Sequence, residues 1–355
     1  MQQQNPRPAP LPVRYVQVTA VRRLSPHLVR ITFGGPDLAG FRLDAPDQQV
    51  KLYFPRHGQR APRLPEPPAD GDLMRWYQAF QAIPEDARPW MRSYTVRAHH
   101  PGDGTIDIDF VLHGTGTESG PEGGQGSGPE SGQGSGHGSG HGSGHGSGQG
   151  SGLEGGQGSG PAGGSASGPA TRWAHTAAPG DTLGMFGPSA YFARPVPLGT
   201  TDWMLFAGDE TALPAIGTLA EWLPEGARAV AYIEVADAAD EQTFVTRGDL
   251  TVHWLHRETG RGAGPGTGTG TGTAGPGEVL VEAVREARFP AGSVFAWLAG
   301  EAGAVRALRR HLVENRGLDK RDIDFTGYWR RALTQDDAPT EDDLADARER
   351  LADAR

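Results

Sequence analysis

Arg92-Ser93-Tyr94-Thr95 is a stretch whose residue types could hold a reactive cofactor. Read as a strand, it points alternate side chains to opposite faces, so Arg92 and Tyr94 share one side and Thr95 turns to the other. A guanidinium can pair with pyrophosphate, an aromatic ring can stack on a flat group such as a flavin or bond its sugar chain, and a threonine hydroxyl can bond a ring edge. Taken alone, the same letters read more simply as an amphipathic strand.

A second cluster follows at Gly168-Pro169-Ala170-Thr171, leading into Arg172-Trp173-Ala174. A helix opened by Gly and Pro leaves backbone N–H groups unpaired at its start, and these form an anion cradle to which Thr171 adds a hydroxyl. An ordinary capped helix begins the same way. Further along, Gly208-Asp209-Glu210-Thr211 follows an apolar run and opens a helix, where a nucleotide phosphate would meet free N–H groups, although the spacing is not G-x-G-x-x-G. Ala299-Gly300-Glu301 repeats the device. Glu234 and Asp237 come after another strand, where a ribose is often read and an acid disfavours a 2′-phosphate, which leans toward NADH over NADPH.

The elements that must position these residues divide the chain in two. With 355 residues, it is long enough for two domains of ~100–200 residues and a cleft between them. Short β-branched runs from Tyr15 to Phe54, then RSYTVRAHH and GTIDIDFVLHG, predict an antiparallel β-barrel. From Thr201 the grammar changes to strand, loop and helix in alternation, which predicts an α/β domain with a parallel sheet. The expected boundaries are 12–198 for the barrel, with an insert at 115–167, and 199–333 for the α/β domain, with a loop insert at 260–277. A C-terminal helix occupies 334–355.

The insert is almost wholly Gly, Ser, Gln, His, Glu and Pro, a composition that cannot bury a core and predicts disorder. His137, His141 and His145 recur within it, but a glycine chain gives them no shared helical face, and no metal site is expected. The absence of cysteine removes thiolate and iron–sulfur chemistry, so redox work would need a bound cofactor. A net charge of −10 argues against nucleic acid as partner. No run approaches the ~20 apolar residues of a membrane span and no signal peptide is visible, so a cytoplasmic protein is expected.

An R-x-Y-T strand followed by a G-x-x-T helix start, in a β domain ahead of an α/β domain, is the layout of ferredoxin-reductase-like flavoproteins. DQQVKLYFP, MRSYTVR, DFVLHG, GPATRWA, AGDETALPAI, WLAGEAGAVRALRRHL and FTGYWRRAL occur in the order seen in siderophore-interacting proteins, and from Pro12 to Leu333 the chain resembles that family. The resemblance implies FAD on the barrel, a nicotinamide-binding-like second domain and reduction of Fe(III) in ferric siderophores. It implies cofactor contacts from Arg92, Ser93, Tyr94, Thr95, His113, Gly114, Ala170, Thr171 and Arg172. Lys51 matches a family lysine that grips anionic ferric siderophores, and Arg330 lies in the family's closing segment.

On this reading NADH or NADPH passes electrons to FAD and the flavin passes them singly to iron, with no acid–base residue required at the metal. Two alternatives stay open: a ferredoxin-type protein as the electron donor, and a non-catalytic ferric-siderophore binder.

Overall fold

A computed structural model of the chain describes residues 12–112, 168–188, 196–257, 261–262, 275–331, 333 and 339–353. His113, Gly114, the Gly/Ser/His tract and most of the 260–277 loop lie outside them.

The first half is built from β1 (Val13–Ser25), β2 (Leu28–Gly34), β3 (Gln49–Phe54), β4 (Trp90–Thr95), β5 (Ala98–His100), β6 (Thr105–Val111) and β7 (Thr182–Phe186). They form one sheet in the order β4-β3-β7-β1-β2-β6-β5, with every pairing antiparallel. The two-residue period sets which side is buried: Val16 and Val18 of β1, Val29, Ile31 and Phe33 of β2, and Ile106, Ile108 and Phe110 of β6 all enter one core. The sheet curls until β4 touches β6, giving a half-open form of the expected antiparallel barrel.

Two helices complete this half. α1 (Leu73–Gln81) is capped by Asp72, whose side chain accepts from the Arg75 N–H, and its Trp76 and Phe80, one turn apart, pack on Tyr53 and Phe186 over the outer face of β3 and β7. α2 (Pro169–Thr176) inserts Trp173 against Phe33, Phe54 and Phe110, with ring centroids 5.4–6.3 Å apart.

The second half has β8 (Trp203–Asp209), β9 (Arg228–Val235), β10 (Asp249–His256), β11 (Arg261–Gly262), β12 (Val294–Glu301) and β13 (Ile323–Trp329). Their order is β11-β10-β9-β8-β12-β13, parallel except where β11 meets β10. Every residue of β8 is buried, as a central parallel strand covered on both faces requires. α3 (Leu213–Trp222) covers one face; α4 (Glu278–Glu286) and α5 (Ala302–Glu314) cover the other. α6 (Glu341–Asp353) follows near the C-terminus. The chain steps outward from β8 in one direction and returns through β12 in the other, so a crevice for ligands is expected between these two strands at their carboxyl ends.

The halves share apolar packing. Leu28, at the start of β2, is buried in the α/β cluster with Phe206 and Ile216. His27 Nδ1 lies 2.8 Å from Asp240 Oδ2, and Ser25 Oγ donates to the other oxygen of that carboxylate.

Candidate functional site: the barrel edge and the domain junction

The structure brings β4 and α2 together. α2 packs on β3, β4 and β6, and the N–H groups of Ala170 and Thr171 stand at its open end, ahead of the first intrahelical bond, Arg172 N–H to Gly168 O at 3.0 Å. Arg92 and Thr95 are buried, Tyr94 is half-buried, and Ser93 and Arg172 are exposed. Arg92 Nη1 donates to Met91 O at 2.8 Å, which fixes one end of the guanidinium. The Tyr94 ring is seated on Phe110, 4.4 Å between centroids, and burial raises its phenol above the ordinary range.

Lys51 stands apart from Arg92 and Tyr94. It pairs across the ladder with Ser93 on one side and Phe186 on the other, and directly paired residues share a face. It is half-buried, and burial lowers the pKa of its amine. Arg330 donates to Asp343 at 2.8 Å and so is bound to α6.

At the carboxyl ends of the parallel strands the expected phosphate cradle is filled from within. Asp209 Oδ1 accepts the Thr211 N–H at 2.9 Å, and Oδ2 accepts the Glu301 N–H and the Trp329 indole N–H, both at 2.8 Å. Glu301 in turn accepts the Ala304 N–H, the start of α5. Gly208 and Gly300 are needed for closeness: a Cβ on Gly208 would meet Ala212 Cβ at 2.5 Å. Burial, with Glu210 beside it, pushes the Asp209 carboxyl up to about 7.

Glu210 forks onto Arg257, with Nη2 2.8 Å from Oε1. Glu234, expected near a ribose, is fully buried and caps α4, accepting from Gly277 N–H at 2.7 Å and Leu280 N–H at 3.0 Å. Asp237 accepts from Ala239 N–H at 2.6 Å within its own turn. The sequence held no sign of Arg257, which neutralises this edge from the end of β10.

Asp47, just ahead of β3, was also hidden. Its N–H donates to Thr218 Oγ of α3 at 3.0 Å. Its Oδ1 accepts the Tyr328 hydroxyl at 3.2 Å and the Thr95 hydroxyl at 3.4 Å, and its Oδ2 accepts the Trp297 indole N–H at 3.1 Å. Gln49 Nε2 donates to Tyr328 Oη at 3.2 Å. One aspartate thereby ties strand β4 to β12 and β13 through its carboxylate and holds α3 through its backbone N–H.

Two family models match the chain: the siderophore-interacting FAD-binding domain over residues 17–128 and the siderophore-interacting protein model over 201–332. A solved siderophore utilization protein from T. fusca is 32% identical, with 93% of this chain and 97% of that one covered and a TM-score of 0.61. The chain belongs to the siderophore-interacting protein family. Ferric vibriobactin reductase of Vibrio cholerae is 28% identical to this family member over 91% of both chains. The NADPH-dependent ferric-chelate reductase of Escherichia coli is 24% identical, covering 89% of this chain and 92% of its own.

The FAD implied by this family's N-terminal domain fits the residues present. A buried guanidinium and the open N–H groups of α2 suit a pyrophosphate, and a buried hydroxyl at Thr95 suits a ring edge. Among the described residues no helix is long and apolar enough to cross a membrane.

Proposed function

We propose that this siderophore-interacting protein is a flavin-dependent reductase of ferric siderophores, releasing iron as Fe(II). The observation that carries the reading is the packing of α2 against β4, the strand that bears Arg92, Tyr94 and Thr95, on a barrel edge that adjoins a parallel-sheet domain. Bound FAD would supply conversion between two-electron and one-electron transfer. Arg92 and the Ala170 and Thr171 amides hold the pyrophosphate, Tyr94 supports the ring system from the core side, and Thr95 orients its edge. Lys51, with its amine partly withdrawn from water, attracts the net negative charge that a catecholate chelate of Fe(III) carries. Reduction itself promotes release, because such chelates hold Fe(II) far less tightly.

Two donors suit the fold. NADH or NADPH is favoured by the parallel-sheet module and by the NADPH dependence of the Escherichia coli ferric-chelate reductase. A ferredoxin-type protein is favoured by one observation: at the carboxyl ends of the parallel strands the carboxylates of Asp209, Glu234 and Glu301 already take backbone amides that could greet a nucleotide pyrophosphate, and Glu210 is paired with Arg257. The test is the visible spectrum of the purified protein under anaerobic NADH, then NADPH, then a reduced ferredoxin, with a ferric siderophore and an Fe(II) chelator added last. Bands that bleach with a nucleotide and return as Fe(II) appears establish the first donor; bleaching with ferredoxin alone establishes the second. A colourless protein that still binds ferric siderophore is a carrier and overturns the reductase.

A further inference from the structure

Charge entering a buried pocket has to be balanced, and the group best placed to do so is neither on β4 nor on α2. Asp47 occupies the turn before β3 with a left-handed backbone, φ 53°, a conformation that aspartate tolerates better than most residues. That turn carries its carboxyl to Thr95, the residue expected at the flavin edge.

The partners decide where a proton would sit. Trp297 Nε1 can only donate, so it holds Oδ2 as an acceptor. Both partners of Oδ1 are hydroxyls, Tyr328 and Thr95, which can reverse and accept. A proton on Oδ1 therefore keeps every hydrogen bond in place. Burial, with Asp324 nearby, pushes this carboxyl up to about 7, against the lowering effect of its hydrogen-bond donors. Other charged groups on the surrounding elements are Lys51 on β3, Arg92 on β4, and the Arg97–Glu221 pair one turn beyond Thr218 on α3. The turn that carries Asp47 is partly exposed, although the carboxyl itself is buried. Asp209, raised to a similar value, is almost fully enclosed and has no hydroxyl link to β4.

We propose that Asp47 is the charge-balancing proton site of the flavin pocket: its Oδ1 takes up one proton when a pair of electrons enters and releases it when the pair leaves. On unloading, two Fe(III) chelates each take one electron to become Fe(II), and one proton passes from Asp47 Oδ1 to solvent, beside any proton the ring itself exchanges. Loading reverses the proton step, with electrons from the donor. The inference rests on the flavin reading above.

Infrared difference spectra between reduced and oxidised protein, taken near pH 7.5, test it. Wild type gains a carboxylic-acid C=O band on reduction and loses it on reoxidation. Asp47→Asn mimics the protonated acid, its amide donating to the hydroxyls and its oxygen accepting from Trp297, so it keeps the flavin bands and loses the carboxyl band. Its potential also falls less steeply with pH above 7 than that of wild type. Thr95→Val removes one partner of the acid and shifts the band, so the assignment does not depend on Asp47→Asn folding. Bound flavin without a carboxyl band in wild type, or a band unmoved in either variant, overturns the proposal. Absence of flavin overturns the functional reading itself.

Discussion

Gly300 and Asp209 meet so closely across the ends of β12 and β8 that a Cβ on Gly300 would lie 2.6 Å from Asp209 Oδ2. Gly300 also has φ 139°, where L side chains are strained. Gly300→Ala must therefore move the carboxylate and bend the strand end, at a cost of about 2–4 kcal/mol in unfolding free energy. Urea denaturation measures it, and a loss below about 0.5 kcal/mol would mean that the strand end yields freely.

Arg257 stands between two buried acids, Glu210 and Glu234. Arg257→Met leaves both without their counter-charge, and the expected loss is about 3–5 kcal/mol. Glu210→Gln added to it should restore part of that loss, giving a strongly non-additive double-mutant cycle.

Arg92→Ala removes the buried guanidinium proposed to meet the pyrophosphate. A charge-assisted hydrogen bond of about 1.5–3 kcal/mol corresponds to a weakening of FAD binding by roughly tenfold to a hundredfold. Fluorescence titration of the apoprotein with FAD reads this directly. Arg92→Lys should recover only part of it, since an ammonium cannot reproduce the planar fork.

Asp47 and Asp209 both have folded pKa values near 7, well above the ordinary carboxylate value. Between about pH 4 and pH 7 the folded protein binds protons that the unfolded chain has released, so the stability due to these groups falls as pH rises through that window and levels off above it. Urea midpoints at pH 5 and pH 8 should show the decline in wild type and a shallower one in Asp47→Asn.

Much of the architecture was legible because it rests on local pattern. The alternation in β2 and β6 and the unbroken apolar run of β8 each declare a strand, and GPATRWA declares a helix start wherever it lies. The facing of Arg92 and Tyr94 was legible for the same reason, since residues two apart on one strand share a side. The junction was not. Asp47 finds its partners at Thr95, Thr218, Trp297 and Tyr328, and nothing within its own turn distinguishes it from other aspartates. Asp209 and Glu234 sat where sequence placed nucleotide contacts, but their side chains turn inward to amides tens of residues away. Local letters located the strand ends; only the assembled sheet settled which way each acid points.

Leu28 belongs by sequence to the barrel and by burial to the other half's core. Cutting the molecule between its halves would strip that side chain, with its neighbours Leu24 and Val111, of the cover it has in the intact chain, and would leave the second half's core with a hole. The halves are thus not interchangeable modules: they should melt in a single calorimetric transition, and grafting either onto a foreign mate would require rebuilding the seam around Leu28 first.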